Sequence, residues 1–237
     1  MEQVKLDILA FGAHPDDAEI GMGGTIALHT AKGFKVGICD LTKAELSSNG
    51  NIVMRAEEAS QASDKLGLAV RENLGFPDRG LALDDLMIAK VVDVIRLYKP
   101  ELVFAPYFED RHPDHGHCGR LVEEAVFSAK IRKYQGAQGL PSHKVKDLYY
   151  YFINGFHKAD FVVDITDVHK VKMDALKSYR SQFTLLDDNV ETPLTNGYLE
   201  AVESRDRLYG KETETLFAEG FKTSRPLKRK YLIGESS

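Results

Sequence analysis

The chain has 237 residues, 31 Lys and Arg against 36 Asp and Glu, and only two cysteines. That length carries a sizeable core, and residues 1–237 read as a single domain. The net charge of -5 gives no reason to expect nucleic acid or an anionic membrane as a partner, the N-terminal apolar run is too short for a membrane span and has no signal-peptide layout, and Cys39 and Cys118 make no disulfide framework, so a cytoplasmic setting is expected.

In chain order, residues 6–11 form an apolar run that reads as a buried strand. The charged stretch His14-Pro15-Asp16-Asp17-Ala18-Glu19 follows, then Gly21-Met22-Gly23-Gly24 as a glycine-rich helix start, and a helix over 20–31. A second strand is expected over 34–41, a polar loop over 42–51, and a helix over Ile52–Leu66. Val70–Phe76 reads as a third strand, 83–98 as an amphipathic helix stopped by Lys99-Pro100, and 102–105 as a fourth strand. A second charged stretch, Glu109-Asp110-Arg111-His112-Pro113-Asp114-His115-Gly116-His117, comes directly after it. Beyond lie a helix over 116–129, a loop over 135–142, strands over 148–153 and 161–165, and helices over 167–179 and 199–208. Strands alternating with helices predict an α/β fold: a Rossmann-like, doubly wound, mostly parallel sheet flanked by helices. The C-terminal third is expected to be an extension covering one edge of the site.

The fold class brings the two charged stretches together. In the commonest doubly wound order, strands one and four are neighbours at the topological switch point, where ligands bind. Both stretches would then open into one crevice. One imidazole and three carboxylates within six residues crowd negative charge that a divalent cation relieves. His14, Asp17 and one histidine of the second stretch supply nitrogen and oxygen ligands of the kind zinc accepts, with a fourth position left open. Asp16 is free to act as a base, and His112 or His115 can ligate while the other faces the substrate. Spacing does not say which does which. Cys39 reads as a core residue. His29, His143 and His169 read as structural or exposed, and His117 as facing solvent or capping a helix rather than as a spare ligand. The aromatic residues Phe127, Tyr134, Tyr149, Tyr150, Tyr151, Phe152 and Phe156 read as core or subunit interface rather than a sugar platform.

His14-Pro15-Asp16-Asp17 with His112-Pro113-Asp114-His115 resembles the paired signature of the LmbE/PIG-L zinc N-deacetylases, which remove acetyl from N-acetylglucosamine groups on small glycosides or glycolipids. Asp40-Leu41-Thr42, Pro77-Asp78-Arg79-Gly80, Asn154-Gly155-Phe156-His157 and Thr192-Pro193-Leu194 are similar to the branch that deacetylates glucosaminyl-malate in bacillithiol biosynthesis. The resemblance implies one zinc ion per chain on His14, Asp17 and His115, with Asp16 as general base. It implies His112 as the charged partner of the tetrahedral intermediate, oriented by Asp114, with Arg55 binding substrate and Tyr198 polarising the carbonyl. It also implies a Rossmann-like fold and a hexamer. Arg111 is a second cation placed to meet the carboxylates of a malate aglycone. One departure stands out: where many members carry Gly-Glu and then Arg-Gly after the second strand, this chain has Ala44-Glu45 and Asn49-Gly50. The competing readings are a broader N-acetylglucosamine or chitooligosaccharide deacetylase, a non-catalytic nucleotide-binding module, and a phosphoesterase needing a second metal.

Overall fold

The computed structural model describes residues 4–187 and 189–228. Its strands β1 (Ile8–Gly12), β2 (Val36–Thr42), β3 (Val70–Phe76), β4 (Leu102–Pro106), β5 (Asp147–Tyr151), β6 (Phe161–Asp164) and β7 (Ala218–Thr223) form one sheet in the order β3-β2-β1-β4-β5-β7-β6. The first five pair in parallel, and β7 lies antiparallel to both β5 and β6. The α/β expectation holds, and β1 and β4 are neighbours.

β1 and β2 are buried along their whole length. Such runs need helices on both faces. Alternate residues of β1 serve the two faces. Leu9 and Phe11 pack with Val91, Ile95, Leu121 and Val122 of α3 (Asp85–Tyr98) and α4 (Pro113–Ala129). Ile8 and Ala10 pack with residues of α1 (Asp17–Ala31), α2 (Ile52–Leu66) and α5 (His169–Leu176).

Helices α1 and α4 begin well before their expected starts, and both shifts matter. α1 starts at Asp17, so its glycines lie inside the helix. A Cβ on Gly21 would stand 2.1 Å from the Tyr151 ring, so this glycine lets α1 lie close on β5. α4 starts at Pro113, which puts His112 at its N-cap and His115 in its first turn. Proline suits that first position because its missing N–H would be unpaired there anyway. The helix expected over 167–179 is shorter, and a separate turn α6 (Arg180–Phe183) follows it. α7 (Tyr198–Glu212) extends past both expected ends.

β7 was not foreseen from sequence. Ala-Glu-Gly-Phe-Lys-Thr has weak strand propensity, and its place is fixed from outside. Helix α1 breaks at Met22 (φ -148, ψ 21). Glu219 of β7 accepts the freed N–H groups of Gly24 and Thr25 at 2.9 and 2.7 Å. Lys172 of α5, wholly buried, pairs with Glu219 at 2.8 Å and with Asp206 of α7 at 2.7 Å. Lys172→Met would strand two buried carboxylates and is expected to cost about 3–5 kcal/mol. Chemical denaturation measures it, and a loss below the size of an exposed pair would remove the lysine from this role.

Candidate metal centre and active site

The carboxyl ends of β1 and β4 deliver the two charged stretches to one cavity of about 190 Å³. Its lining includes His14, Asp16, Asp17, Arg55, Arg111, His112, His115 and Tyr198, together with Asp78, Asn154 and Gln182. Asp114 stands behind it, against His14. The sequence-predicted residues therefore share one site.

At its centre are two imidazoles arranged alike. His115 places Nδ1 3.0 Å from Asp110 Oδ1 and Nε2 3.2 Å from Asp17 Oδ1. His14 places Nε2 3.2 Å from Asp78 Oδ1 and Nδ1 3.6 Å from Asp17 Oδ2. Each ring thus has one nitrogen against an outer carboxylate and the other turned to Asp17. Outer carboxylates of this kind fix the tautomer and orientation of metal-bound histidines. Two imidazoles and one carboxylate form a donor set suited to zinc with an open fourth position. One nitrogen each of His14, His112 and His115 also lie within 4.8 Å of one another, so His112 is a geometric rival for the third position. Its Nδ1 accepts the Asp114 N–H at 3.3 Å, which leaves Nε2 alone for other work.

Asp110 and Asp78 had no assigned role in the sequence. Asp110 accepts the His112 N–H at 2.8 Å and both the backbone and side-chain N–H groups of Asn154. Asp110 lay within the second charged stretch, and the signal available there was a carboxylate in the loop just before the helix that carries the ligand histidine.

The charges follow from burial and mutual proximity. Burial pushes the His14 and His115 rings toward neutrality. The carboxylates around them outweigh it, raising His14 well above its ordinary value and His115 to about 9. Asp17 is driven far down by the His115 and His14 rings despite its burial. Asp16 behaves oppositely: burial pushes it up to about 7, although Arg55 pulls it down. Two carboxylates adjacent in sequence are thereby separated into one held ionised and one poised near neutrality, a pattern common where one carboxylate must take a proton.

Asp16 has a left-handed backbone (φ 118), unusual for any residue but glycine. Arg55 holds it there: Nη2 reaches Asp16 Oδ2 at 2.7 Å, and Nε and Nη2 both donate to Pro15 O. The arginine is only 5% exposed, and its Nη1 has no hydrogen-bond partner among the described residues.

The 9–126 segment matches a family model described as PIG-L: GlcNAc-PI de-N-acetylase. Over 230 residues the chain is 32% identical to the diacetylchitobiose deacetylase of Thermococcus kodakarensis, spanning 91% of this chain and 82% of that one. The chain belongs to the PIG-L family. It is an N-deacetylase, a hydrolase. A probable N-acetyl-α-D-glucosaminyl L-malate deacetylase 2 of Bacillus subtilis is 29% identical over 81% of this chain and 90% of its own. A conserved protein of Thermus thermophilus superposes with a TM-score of 0.86 at 36% identity, covering 98% of this chain and all of that one.

Several expectations for this PIG-L site change in detail. Asp114 does not orient His112 with its carboxylate. Oδ2 accepts the Arg79 N–H at 2.7 Å and stands 3.7 Å from His14 Nε2, and only the Asp114 backbone reaches His112. His112 is accordingly held below its ordinary value, by burial first and then by the His115 and His14 rings, with Asp114 too weak to reverse them. A divalent cation on those rings would act in the same direction. Arg55 is engaged by Pro15 and Asp16. Arg111 is exposed at the cavity mouth. Tyr198 donates weakly to Ile153 O at 3.2 Å and Asn154 Oδ1 at 3.3 Å.

The unusual loop after β2 has a physical account. Ala44 takes a positive φ of 52, where glycine is the unstrained choice. Asn49 is buried and pairs both ways with the Val190 backbone, so Ala44, Leu46 and Ser47 line the cavity and Asn49 does not. None of the seven residues of the aromatic stretch lines it either; Tyr150, Tyr151 and Phe152 are core, and Phe127 and Phe156 are exposed. His117 is exposed on α4. Cys39 and Cys118 are buried and unpaired, and among the described residues no helix is long and apolar enough to cross a membrane.

Proposed function

We propose that this chain hydrolyses the N-acetyl group of an N-acetylglucosaminyl compound, with N-acetylglucosaminyl-L-malate as the leading substrate. The observation that carries the reading is the pair of histidines, each fixed by an outer carboxylate and turned to Asp17, at the junction of the two motif stretches. One zinc ion, held by His14, Asp17 and His115, would supply a Lewis acid and a water acidic near neutral pH. Asp16 then takes a proton from the attacking water and passes it to the leaving nitrogen. Its bond to Arg55 uses Oδ2 and leaves Oδ1 for that exchange. His112 acts as a neutral donor: Nδ1 is occupied, so Nε2 carries the hydrogen that meets the developing oxyanion. Tyr198, whose present bonds are long, can turn its hydroxyl to the acetyl carbonyl. Asp114 positions these groups from behind, through Arg79 and its own N–H to His112.

The cavity accommodates an amino-sugar head and leaves an aglycone at the mouth, beside Arg111. A malate carboxylate there meets an exposed guanidinium that can bind both oxygens. Arg111→Ala is therefore expected to lower kcat/KM for N-acetylglucosaminyl-malate by about 10–100-fold, the worth of a charge-assisted bond, and to spare diacetylchitobiose. Arg55→Ala should harm both substrates alike, because its guanidinium holds Asp16. Acetate release from both substrates, with metal content measured on the same samples, tests this. The match to a diacetylchitobiose deacetylase supports a second reading, a broader chitooligosaccharide deacetylase. Wild-type preference for diacetylchitobiose would favour it. The proposal extends to the chain acting as one domain and as a cytoplasmic hexamer. Exposed Ile52, Val53 and Met54 at the start of α2 offer an apolar surface for assembly, and light scattering reads the mass.

A further inference from the structure

Asp78 lies in the turn after β3, away from both charged stretches, yet its carboxylate reaches into the centre of the site. Oδ1 stands 3.2 Å from His14 Nε2. Oδ2 accepts the Leu46 N–H at 3.0 Å. The backbone N–H of Asp78 donates to Glu45 Oε1 at 2.8 Å. The side chain is nearly buried, and Leu46 belongs to the loop whose Ala44, Leu46 and Ser47 wall the cavity. The next residue, Arg79, gives its N–H to Asp114 at the start of α4. Asp114 is the other carboxylate facing His14 Nε2, but at 3.7 Å it is beyond hydrogen-bond reach.

We infer that Asp78 is a positioning residue that couples the metal ligand His14 to the cavity-wall loop, so that metal binding and the placement of residues 44–47 stabilise each other. The inference rests on the metal reading proposed above. The chemistry requires a carboxylate. His14 Nε2 must carry a hydrogen if Nδ1 is to ligate, and the Leu46 N–H is also a donor. Only a side chain with acceptors on both arms serves the two together. An amide at this position keeps one arm and turns an NH₂ against the other donor. Such outer partners typically contribute 10–100-fold to metal affinity. Because coupling between two equilibria is reciprocal, zinc must also tighten the loop if the loop tightens zinc.

The test uses the full chain and zinc alone as the probe. Chelator competition gives zinc affinity, hydrogen exchange reads the Leu46 amide with and without zinc, and the visible bands of the cobalt-loaded protein report the ligand field at His14. Asp78→Asn is expected to weaken zinc about 10–100-fold, shift the cobalt bands, and abolish the zinc-dependent slowing of Leu46 exchange seen in the wild type. Glu45→Ala loosens the loop without touching a ligand and is expected to weaken zinc several-fold, less than Asp78→Asn. It carries the test if Asp78→Asn fails to fold. Zinc affinity unchanged in either folded variant overturns the coupling. So does a wild-type Leu46 amide whose exchange ignores zinc, which would leave Asp78 as an outer partner of His14 only. A wild type that fails to bind zinc overturns the metal reading itself, a result distinguishable from failure of the coupling alone.

Discussion

Replacing Asp16 by Asn is expected to lower kcat by about 10²–10⁴-fold, the usual cost of losing a general base, while zinc stays bound. The two Asp residues at 16 and 17 are adjacent, but their surroundings divide the work. Asp17 stands between two imidazoles and is held ionised. Asp16 is buried beside one guanidinium and is pushed up to about 7. A base must be deprotonated to accept a proton. With its pKa raised, kcat/KM should fall as pH drops through about 7, rather than near the ordinary carboxylate value of 3.8. Arg55 pulls the Asp16 carboxyl down, so Arg55→Ala should shift the acid limb to higher pH. An acid limb that survives unmoved in Asp16→Asn would assign it to another group and remove Asp16 as the base.

His115→Ala is expected to cost more than about 100-fold in zinc affinity, beyond the loss of any outer partner, and activity with it. The substitution removes one of three ligands. It also leaves Asp110, held by Asn154 and the His112 N–H, facing an empty space inside the protein. Asp17→Asn should behave similarly, since its two oxygens serve both rings. His112→Ala is the control that makes the assignment sharp. The three imidazoles lie close enough for His112 to replace His115 as a ligand on distance alone. Under the proposed roles His112→Ala keeps stoichiometric zinc and loses turnover. The opposite outcome, zinc lost with His112 and kept with His115, would exchange the two histidines.

The first four strands and their order were legible because local pattern and chain-wide rule agree. Ile52–Leu66 and Val70–Phe76 have the expected bounds because each ends at a strong local signal, Gly67 or Pro77. The doubly wound strand order then makes β1 and β4 neighbours, which joins two stretches far apart in sequence. The metal-ligand candidates were legible for the same reason, since their residue types are distinctive and concentrated. What tertiary structure alone decided is where single carboxylates and cations turn. The family resemblance makes Asp114 the partner of His112, but the first turn of α4 sends its carboxylate to Arg79 and His14 and leaves His112 as the N-cap. Arg55 looks like a free substrate cation, but its place on α2 sets it against Pro15 and Asp16. Asp78 looks like a turn residue, and only the sheet order brings it to His14. β7 has little strand character of its own and exists because Glu219 answers the break in α1 and the buried Lys172. Residue type and spacing determined which groups the site contains. Hydrogen-bond direction and burial, which depend on neighbours from every other loop, determined what each can do.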